Sequence, residues 1–210
     1  MKIHIKYEEH NVFVGGTGSG KTLLAEHFLR RLNRVFVIDP KHEYKSDGYK
    51  VRRNLPAFGS NFRVIFRPRT DDDDLMDDLL KQLFKIKNVT IYCDELSTLA
   101  DYFPRATKRL TDIIRTGRSK HVSVWTAIQR PRFIPRVFLT ETKGMFIFNL
   151  RGEDDRNYMS KFTRDIVSDP IEEFTFWYSH VRIPDIALMR YNLSKNFIEN
   201  IGWNMHLNDL

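Results

Sequence analysis

Residues 15–22 read Gly-Gly-Thr-Gly-Ser-Gly-Lys-Thr, and they decide the fold that the rest of the chain must form. They follow a short apolar run, Val12-Phe13-Val14, and precede an amphipathic segment. The pattern Gly-x-x-x-x-Gly-Lys-[Ser/Thr] between a strand and a helix is typical of a phosphate-binding P-loop. Glycines let successive N–H groups point at a phosphate, and the following helix adds its positive N-terminal end. The predicted nucleotide-binding residues are Gly15, Gly16, Thr17, Gly18, Ser19, Gly20, Lys21 and Thr22.

The last two residues of the motif have distinct chemical tasks. Lys21 is expected to reach the β- and γ-phosphates as a point charge, and the hydroxyl of Thr22 is expected to hold Mg²⁺. The sequence therefore predicts that the chain binds ATP together with Mg²⁺.

Length and composition indicate one ordinary domain. The chain has 210 residues, of which 41% are hydrophobic and 29% charged, as in a globular protein. No apolar run approaches 18 residues, and the N-terminus lacks the apolar core of a signal peptide, so we expect no membrane span. The single cysteine, Cys93, cannot form an internal disulfide, and no ligand-spaced cysteine or histidine pair predicts zinc. We therefore expect an intracellular protein in a reducing compartment.

The charge indicates a polyanionic partner such as nucleic acid. The formal net charge is +7, and basic residues crowd residues 105–136. A solvated basic surface is the plain alternative.

Alternating apolar runs and helical patterns predict an α/β fold with a mostly parallel central sheet. Residues 42–61 are polar and look like an irregular insertion, and 174–178 with 186–191 suggest a late β-hairpin. Residues 196–210 are predicted to be a terminal helix or a tail. Strands are expected at 11–15, 34–38, 63–66, 88–94, 121–127 and 144–150, and helices at 20–33, 104–118 and 153–162.

Four consecutive aspartates, residues 71–74, suggest a metal site at first sight. They precede Leu75, Met76, Leu79 and Leu80, which recur at helical spacing. Since carboxylates are favoured at a helix N-terminus, we interpret them as a helix cap.

A second motif complements the P-loop. The apolar run Val89-Thr90-Ile91-Tyr92-Cys93 ends in Asp94 and Glu95. Asp94 at the tip of a strand is suited to anchor the Mg²⁺ shell, and Glu95 to polarise the attacking water as general base. Most P-loop kinases do not need to activate water, so Glu95 favours a nucleotide-hydrolysing motor over a kinase.

Two further segments carry a resemblance to a known family. Asp39-Pro40-Lys41 and Thr126-Ala127-Ile128-Gln129-Arg130-Pro131, with the P-loop and the Asp94-Glu95 pair, resemble the HerA/FtsK branch of RecA-like ATPases. The second segment departs slightly from that family's Ala-Thr-Gln-Arg-Pro-like pattern. The resemblance spans roughly residues 10–160, and it implies a three-layer RecA-like fold with residues 165–210 as a C-terminal extension of the single domain.

The resemblance also implies further catalytic residues. Gln129 matches the glutamine that senses the γ-phosphate, which suits an amide because it donates a hydrogen bond without changing charge. Arg118 matches the position of an arginine finger that acts on the neighbouring subunit's nucleotide, with Arg115 as a close alternative. Arg151 and Arg156 are other candidates to face a neighbouring site.

Small motors of this type resemble the genome-packaging ATPases of membrane-containing icosahedral viruses, including the turreted viruses of Sulfolobus. This resemblance implies a translocase of double-stranded DNA, a homo-oligomeric ring of five or six subunits, and a capsid or membrane vertex protein as partner. Arg130, Arg132 and Arg136 are candidates for a DNA-facing loop, with an exposed basic edge as the alternative. A cellular or plasmid motor of the same superfamily, a small-molecule kinase and a nucleotide-gated assembly protein stay open as alternative functions.

Overall fold

The computed structural model describes residues 3, 5–54, 58–163, 171–195 and 197–205. In this part of the chain one sheet contains ten strands. Their bounds are β1 Asn11–Val14, β2 Arg34–Ile38, β3 Lys50–Arg52, β4 Phe62–Phe66, β5 Val89–Asp94, β6 Val122–Ile128, β7 Gly144–Phe148, β8 Thr175–His180, β9 Ile183–Asn192 and β10 Phe197–Met205.

The order of strands across the sheet is β10-β9-β8-β7-β1-β6-β5-β2-β4-β3. From β7 to β3 each neighbouring pair is parallel, whereas β8, β9 and β10 continue the sheet antiparallel. The parallel strands therefore all end at one side of the sheet, here named the carboxyl edge, and begin at the opposite amino edge. Since β6 lies between β1 and β5, its end comes between the segments that follow those two strands.

Helices cover both faces of the sheet. They are α1 Lys21–Leu29, α2 Asp73–Ile86, α3 Leu96–Tyr102, α4 Pro104–Thr116, α5 Val137–Thr140 and α6 Glu153–Thr163. Successive side chains of a strand point to opposite faces, so Val12 and Val14 pack in one apolar cluster with α2, α4 and α6 while Phe13 packs in the other with α1. This confirms the predicted three-layer α/β fold.

The aspartates lie at the start of α2, with Asp72 in the N-cap position, but the Asp72 side chain accepts no hydrogen bond from the N–H groups of this helix. Asp72 accepts a hydrogen bond from the Arg69 N–H at 2.7 Å at the start of α2. Asp73 instead accepts from the N–H groups of Arg105 and Ala106, at 3.2 and 3.0 Å, and so caps α4. Among the described residues there is no cluster of three or more His, Cys, Asp or Glu side chains that could hold a metal.

The C-terminal prediction is wrong where the structure describes it. The predicted hairpin is present as β8 and β9, but residues 197–205 form the strand β10 instead of a helix or tail. The open edge of β9 offers unpaired backbone groups, and β10 satisfies them by antiparallel pairing, with Phe197 opposite Asn192. Residues 206–210 lie outside the described residues.

Residues 42–61 contain one element that the sequence reading missed. The short, exposed strand β3 pairs in parallel with β4 and forms the far edge of the sheet. Where the structure describes the chain, no helix is both long and apolar enough to cross a membrane.

Candidate functional site

The P-loop begins at the carboxyl edge, where backbone hydrogen bonds attach it to two strands. The Gly15 N–H donates to the carbonyl oxygen of Ile128 at the end of β6, at 3.0 Å. The Gly16 N–H donates to the carbonyl of Asn149, just after β7, at 2.9 Å. The loop is therefore held on both sides of β1 before α1 begins at Lys21.

Two of the loop glycines are required by their surroundings. A β-carbon on Gly15 would lie 2.6 Å from the β-carbon of Phe148, too close for any side chain. Gly20 has a φ of 103°, and a β-carbon there would lie 2.8 Å from the ring of Phe174. The loop thus needs glycine both for close approach and for left-handed backbone.

Lys21 is buried in the loop that it serves. Its Nζ donates a hydrogen bond to the Gly16 carbonyl at 2.7 Å. Burial lowers the pKa of Lys21 to about 8, and the carboxylates of Glu95 and Asp94 oppose that shift. A phosphate bound in the loop would supply a full counter-charge in place of the single carbonyl dipole, which is the electrostatic situation that a P-loop lysine requires.

Thr22 and Asp94, the predicted Mg²⁺ ligands, are in direct contact. The Thr22 hydroxyl donates to Asp94 Oδ1 at 2.9 Å, and the Tyr92 hydroxyl donates to the same oxygen at 2.7 Å. Burial raises the pKa of Asp94, while these two hydrogen bonds lower it. A hydroxyl and a carboxylate oxygen at one point suit Mg²⁺, which takes few protein ligands and completes its shell with phosphates and water.

Glu95 directly follows β5 and has unusual geometry. Its backbone lies at φ 97° and ψ 78°, a region that L-residues rarely adopt, and its side chain is buried. One carboxylate oxygen lies 3.4 Å from the Lys41 Nζ, and within the described residues the other has no hydrogen-bond partner although it is buried. Strained backbone and an unsatisfied carboxylate oxygen at one residue indicate a functional position.

Lys41 belongs to the site, although the sequence alone does not predict it as a site residue. The neighbouring Asp39 is fully buried and accepts hydrogen bonds from the N–H groups of Glu43 and Tyr44, at 3.0 and 3.2 Å, and from the Arg67 guanidinium at 3.0 Å. This clamp fixes the turn that carries Lys41 to Glu95. The Asp-Pro-Lys segment was visible in the sequence, but only the fold brings its lysine to the acid.

Gln129 also lies at the P-loop, as its predicted role requires. It follows β6, whose end lies between those of β1 and β5. Its side-chain carbonyl accepts a hydrogen bond from the Thr17 hydroxyl at 3.1 Å. The structure therefore brings five of the predicted residues together at the carboxyl edge, namely Thr17, Lys21, Thr22, Asp94 and Gln129, with Glu95 beside them.

Arg118 lies on the other side of the molecule. It belongs to the 3₁₀ turn Gly117–Lys120 at the amino edge, before the seven residues of β6. At roughly 3.3 Å per residue, β6 separates this edge from the P-loop by about 20 Å. Arg118 lines a cavity of about 220 Å³ with Lys143 and Arg182 among its neighbours. It does not reach the P-loop of its own chain.

Arg151, which is exposed, lies beside the P-loop of its own chain. Its Cγ is 3.9 Å from the position that a β-carbon on Gly16 would take. Arg156 donates to the carbonyls of Leu150 and Arg151, at 2.8 and 2.9 Å, and so holds this segment in place. Arg156 therefore has a structural contact of its own.

The three arginines proposed to face DNA follow β6 at the carboxyl edge. Arg130 lies 3.7 Å from an oxygen of Asp155, Arg132 pairs with Asp154, and Arg136 lies over the ring of Phe162. Acidic residues of α6 thus partly balance this basic surface.

Comparisons with known proteins show the family and the fold of the chain. The family described as Helicase HerA, central domain, matches residues 1–202. Among solved structures, the genome packaging NTPase B204 of Sulfolobus turreted icosahedral virus 2, in complex with AMPPCP, matches with a TM-score of 0.66 at 15% identity. That match covers 95% of this chain and all of the viral one.

Two other solved structures share the fold but are longer chains. The pCW3 conjugation coupling protein TcpA, with ATPγS, matches with a TM-score of 0.57 at 14% identity, and the match covers 83% of this chain and 58% of the TcpA chain. ATPases 2 and 3 of EccC from Thermomonospora curvata match with a TM-score of 0.61 at 9% identity, and this match covers 86% of this chain and 36% of the EccC chain. No curated protein sequence matches the chain.

Proposed function

The chain belongs to the family of the HerA helicase central domain, and from this premise we propose that it is a Mg²⁺-dependent ATPase that translocates double-stranded DNA. The observation that carries the proposal is the convergence of the P-loop, the Thr22–Asp94 pair, Glu95 and Gln129 at one edge of the sheet. We propose the whole chain as a single ATPase domain, with a core at about 10–160 and an extension at about 165–210.

We assign each site residue a separate role in ATP hydrolysis. P-loop N–H groups and Lys21 bind the phosphates, and Thr22 with Asp94 holds Mg²⁺, which neutralises charge on the phosphate oxygens when bound. Glu95 accepts a proton from the attacking water, whose oxygen bonds to the γ-phosphorus while the bond to the β-phosphate oxygen breaks. Gln129 exchanges its hydrogen bond with Thr17 for one to the γ-phosphate, and Arg151 adds positive charge from the same chain.

The position of Arg118 supports a ring. An arginine about 20 Å from its own P-loop acts in catalysis only if another subunit brings a nucleotide to it. A head-to-tail contact between the amino edge of one subunit and the carboxyl edge of the next supplies that geometry, and such contacts form a ring when the rotation from subunit to subunit closes. We propose a ring of five or six copies in which Arg118 stabilises charge on the neighbour's γ-phosphate.

We propose DNA as the polymer that the ring moves. The net charge of +7 and the exposed arginines 130, 132 and 136 favour a polyanion. The fold likeness to a viral packaging NTPase covers 95% of this chain and all of the viral one, and it favours genome packaging into a preformed capsid. The place would be a host cytoplasm or the virion, with a capsid or membrane vertex protein as partner. The likeness to a conjugation coupling protein supports a plasmid or cellular motor as the second candidate.

The test is the ATPase rate with and without duplex DNA, measured on material whose oligomeric state is determined by light scattering in the same buffer. Duplex DNA should raise the rate in ring-forming material, and Lys21→Ala should abolish it in both conditions because the phosphates lose their lysine. Phosphate release that persists in Lys21→Ala would refute the assignment of the site. A wild-type ring whose ATPase rate is the same with and without duplex DNA would refute translocation.

A further inference from the structure

An exposed aromatic ring follows the candidate sensor residue at the end of β6. Residues 130–136 read Arg-Pro-Arg-Phe-Ile-Pro-Arg and form a 3₁₀ turn at Pro131–Phe133. Pro131 and Ile134 are buried, and the Phe133 N–H donates to the Arg130 carbonyl at 3.2 Å. The turn is therefore anchored on both sides of Phe133, whose side chain is left 59% exposed.

Two guanidinium groups flank this ring. The Cζ atoms of Arg130 and Arg132 lie 4.9 and 5.0 Å from the centre of the Phe133 ring, within cation–π distance. The ion pair of Arg132 with Asp154 is solvent-exposed, and the contact of Arg130 with Asp155 is long, so both are weak. A phosphate would compete effectively for either guanidinium. We name Arg130, Arg132 and Phe133 the Arg-Phe cluster.

The Arg-Phe cluster is one residue away from the nucleotide site. Gln129, which precedes Arg130, is held by Thr17 of the P-loop. The prolines at 131 and 135 restrict the backbone of the turn, so the cluster is held close to Gln129.

We propose that the Arg-Phe cluster is a nucleic-acid contact in which Phe133 packs on sugar or base surface while the two guanidiniums take the phosphates. An aromatic ring between two arginines suits duplex DNA because each nucleotide offers an apolar sugar surface next to a phosphate. This inference rests on the proposed function and assigns its polymer contact to Phe133, a residue that charge alone would not identify.

Crosslinking identifies what lies on the ring. Phe133 is replaced by photoreactive p-benzoylphenylalanine, and the protein is irradiated with labelled duplex DNA. Val181 carries the same group as control, because it is 63% exposed but lies at the amino edge, next to the start of β7. We expect a DNA adduct from position 133 and none from 181. An adduct between two protein chains at position 133, or no adduct, would overturn the proposal.

Binding as a function of salt separates the ring from the charges. Phe133→Leu keeps apolar bulk but loses the aromatic face that holds the two guanidinium groups, and should weaken duplex binding by about 2- to 5-fold with an unchanged salt slope. Arg132→Gln should reduce the log–log slope by about 0.9 for its phosphate. Phe133→Tyr should bind as the wild type does, and circular dichroism checks that each variant is folded.

The outcomes separate the two proposals. Wild-type protein that binds no nucleic acid would refute DNA translocation together with this contact. Wild-type protein that binds duplex DNA, with Phe133→Leu equal to it in affinity, would refute the Arg-Phe cluster alone.

Discussion

Replacement of His10 by glutamine should remove a loss of stability that the wild-type protein suffers at acid pH. His10 immediately precedes β1, is only 5% exposed, and accepts a hydrogen bond from the Val124 N–H of β6 on its Nδ1 at 2.9 Å. Burial lowers the pKa of His10 from 6.5 to about 4, and the positive charge of Lys143 makes a smaller contribution in the same direction.

The sign and size follow from the two protonation states. Below pH 6.5 His10 is protonated in the unfolded chain, whereas in the folded protein it stays neutral down to about pH 4. The free energy of unfolding therefore falls as the pH falls from 6.5 to about 4. The whole window is worth about 3 kcal/mol, and about 2 kcal/mol is lost at about pH 5. Glutamine keeps an oxygen that can accept from Val124 but does not titrate.

The assay is urea unfolding of both proteins at about pH 7.5 and about pH 5. Fluorescence reports the right region, because the buried Trp125 donates its indole N–H to the Glu9 carbonyl at 2.9 Å. Titrations of other groups are common to both proteins and cancel. The stability of wild type relative to His10→Gln should drop by about 2 kcal/mol between the two conditions. A pH-independent difference would show that His10 does not resist protonation in the folded state.

Three further changes test the site. Glu95→Gln should bind ATP but hydrolyse it about 10²- to 10⁴-fold more slowly in single-turnover assays, because it loses the general base; a normal rate would place the base elsewhere. Gly20→Ala should lower thermal stability and the affinity for an ATP analogue, because its φ of 103° is strained by about 1–2 kcal/mol and its β-carbon meets Phe174. Adding Phe174→Ala should recover part of the loss, and an unaffected single variant would contradict the strain. Arg118→Ala should bind ATP but lose hydrolysis by on the order of 10³- to 10⁵-fold. Co-assembled rings of Arg118→Ala and Lys21→Ala subunits should regain activity at mixed interfaces, and rings that stay inactive while Arg118→Ala alone hydrolyses normally would reduce Arg118 to a surface charge.

The sequence by itself determined the fold class and the local motifs. The P-loop is recognisable because its glycines, lysine and threonine are contiguous, and an apolar run ending in Asp94 and Glu95 reports a buried strand by the same local logic. The sequence does not predict the strand at 197–205, because pairing with β9 stabilises this strand and no local pattern encodes that contact.

Only the tertiary structure decided which distant residues share the site. The contact of Lys41 with Glu95 depends on β2 lying next to β5, and that of Thr17 with Gln129 depends on β6 lying next to β1. The pairing of β7 with β1 likewise brings Arg151 beside its own P-loop. The physical reason is that sequence periodicity determines which face of a strand is buried, whereas the order of strands follows from packing the whole sheet between two layers of helices.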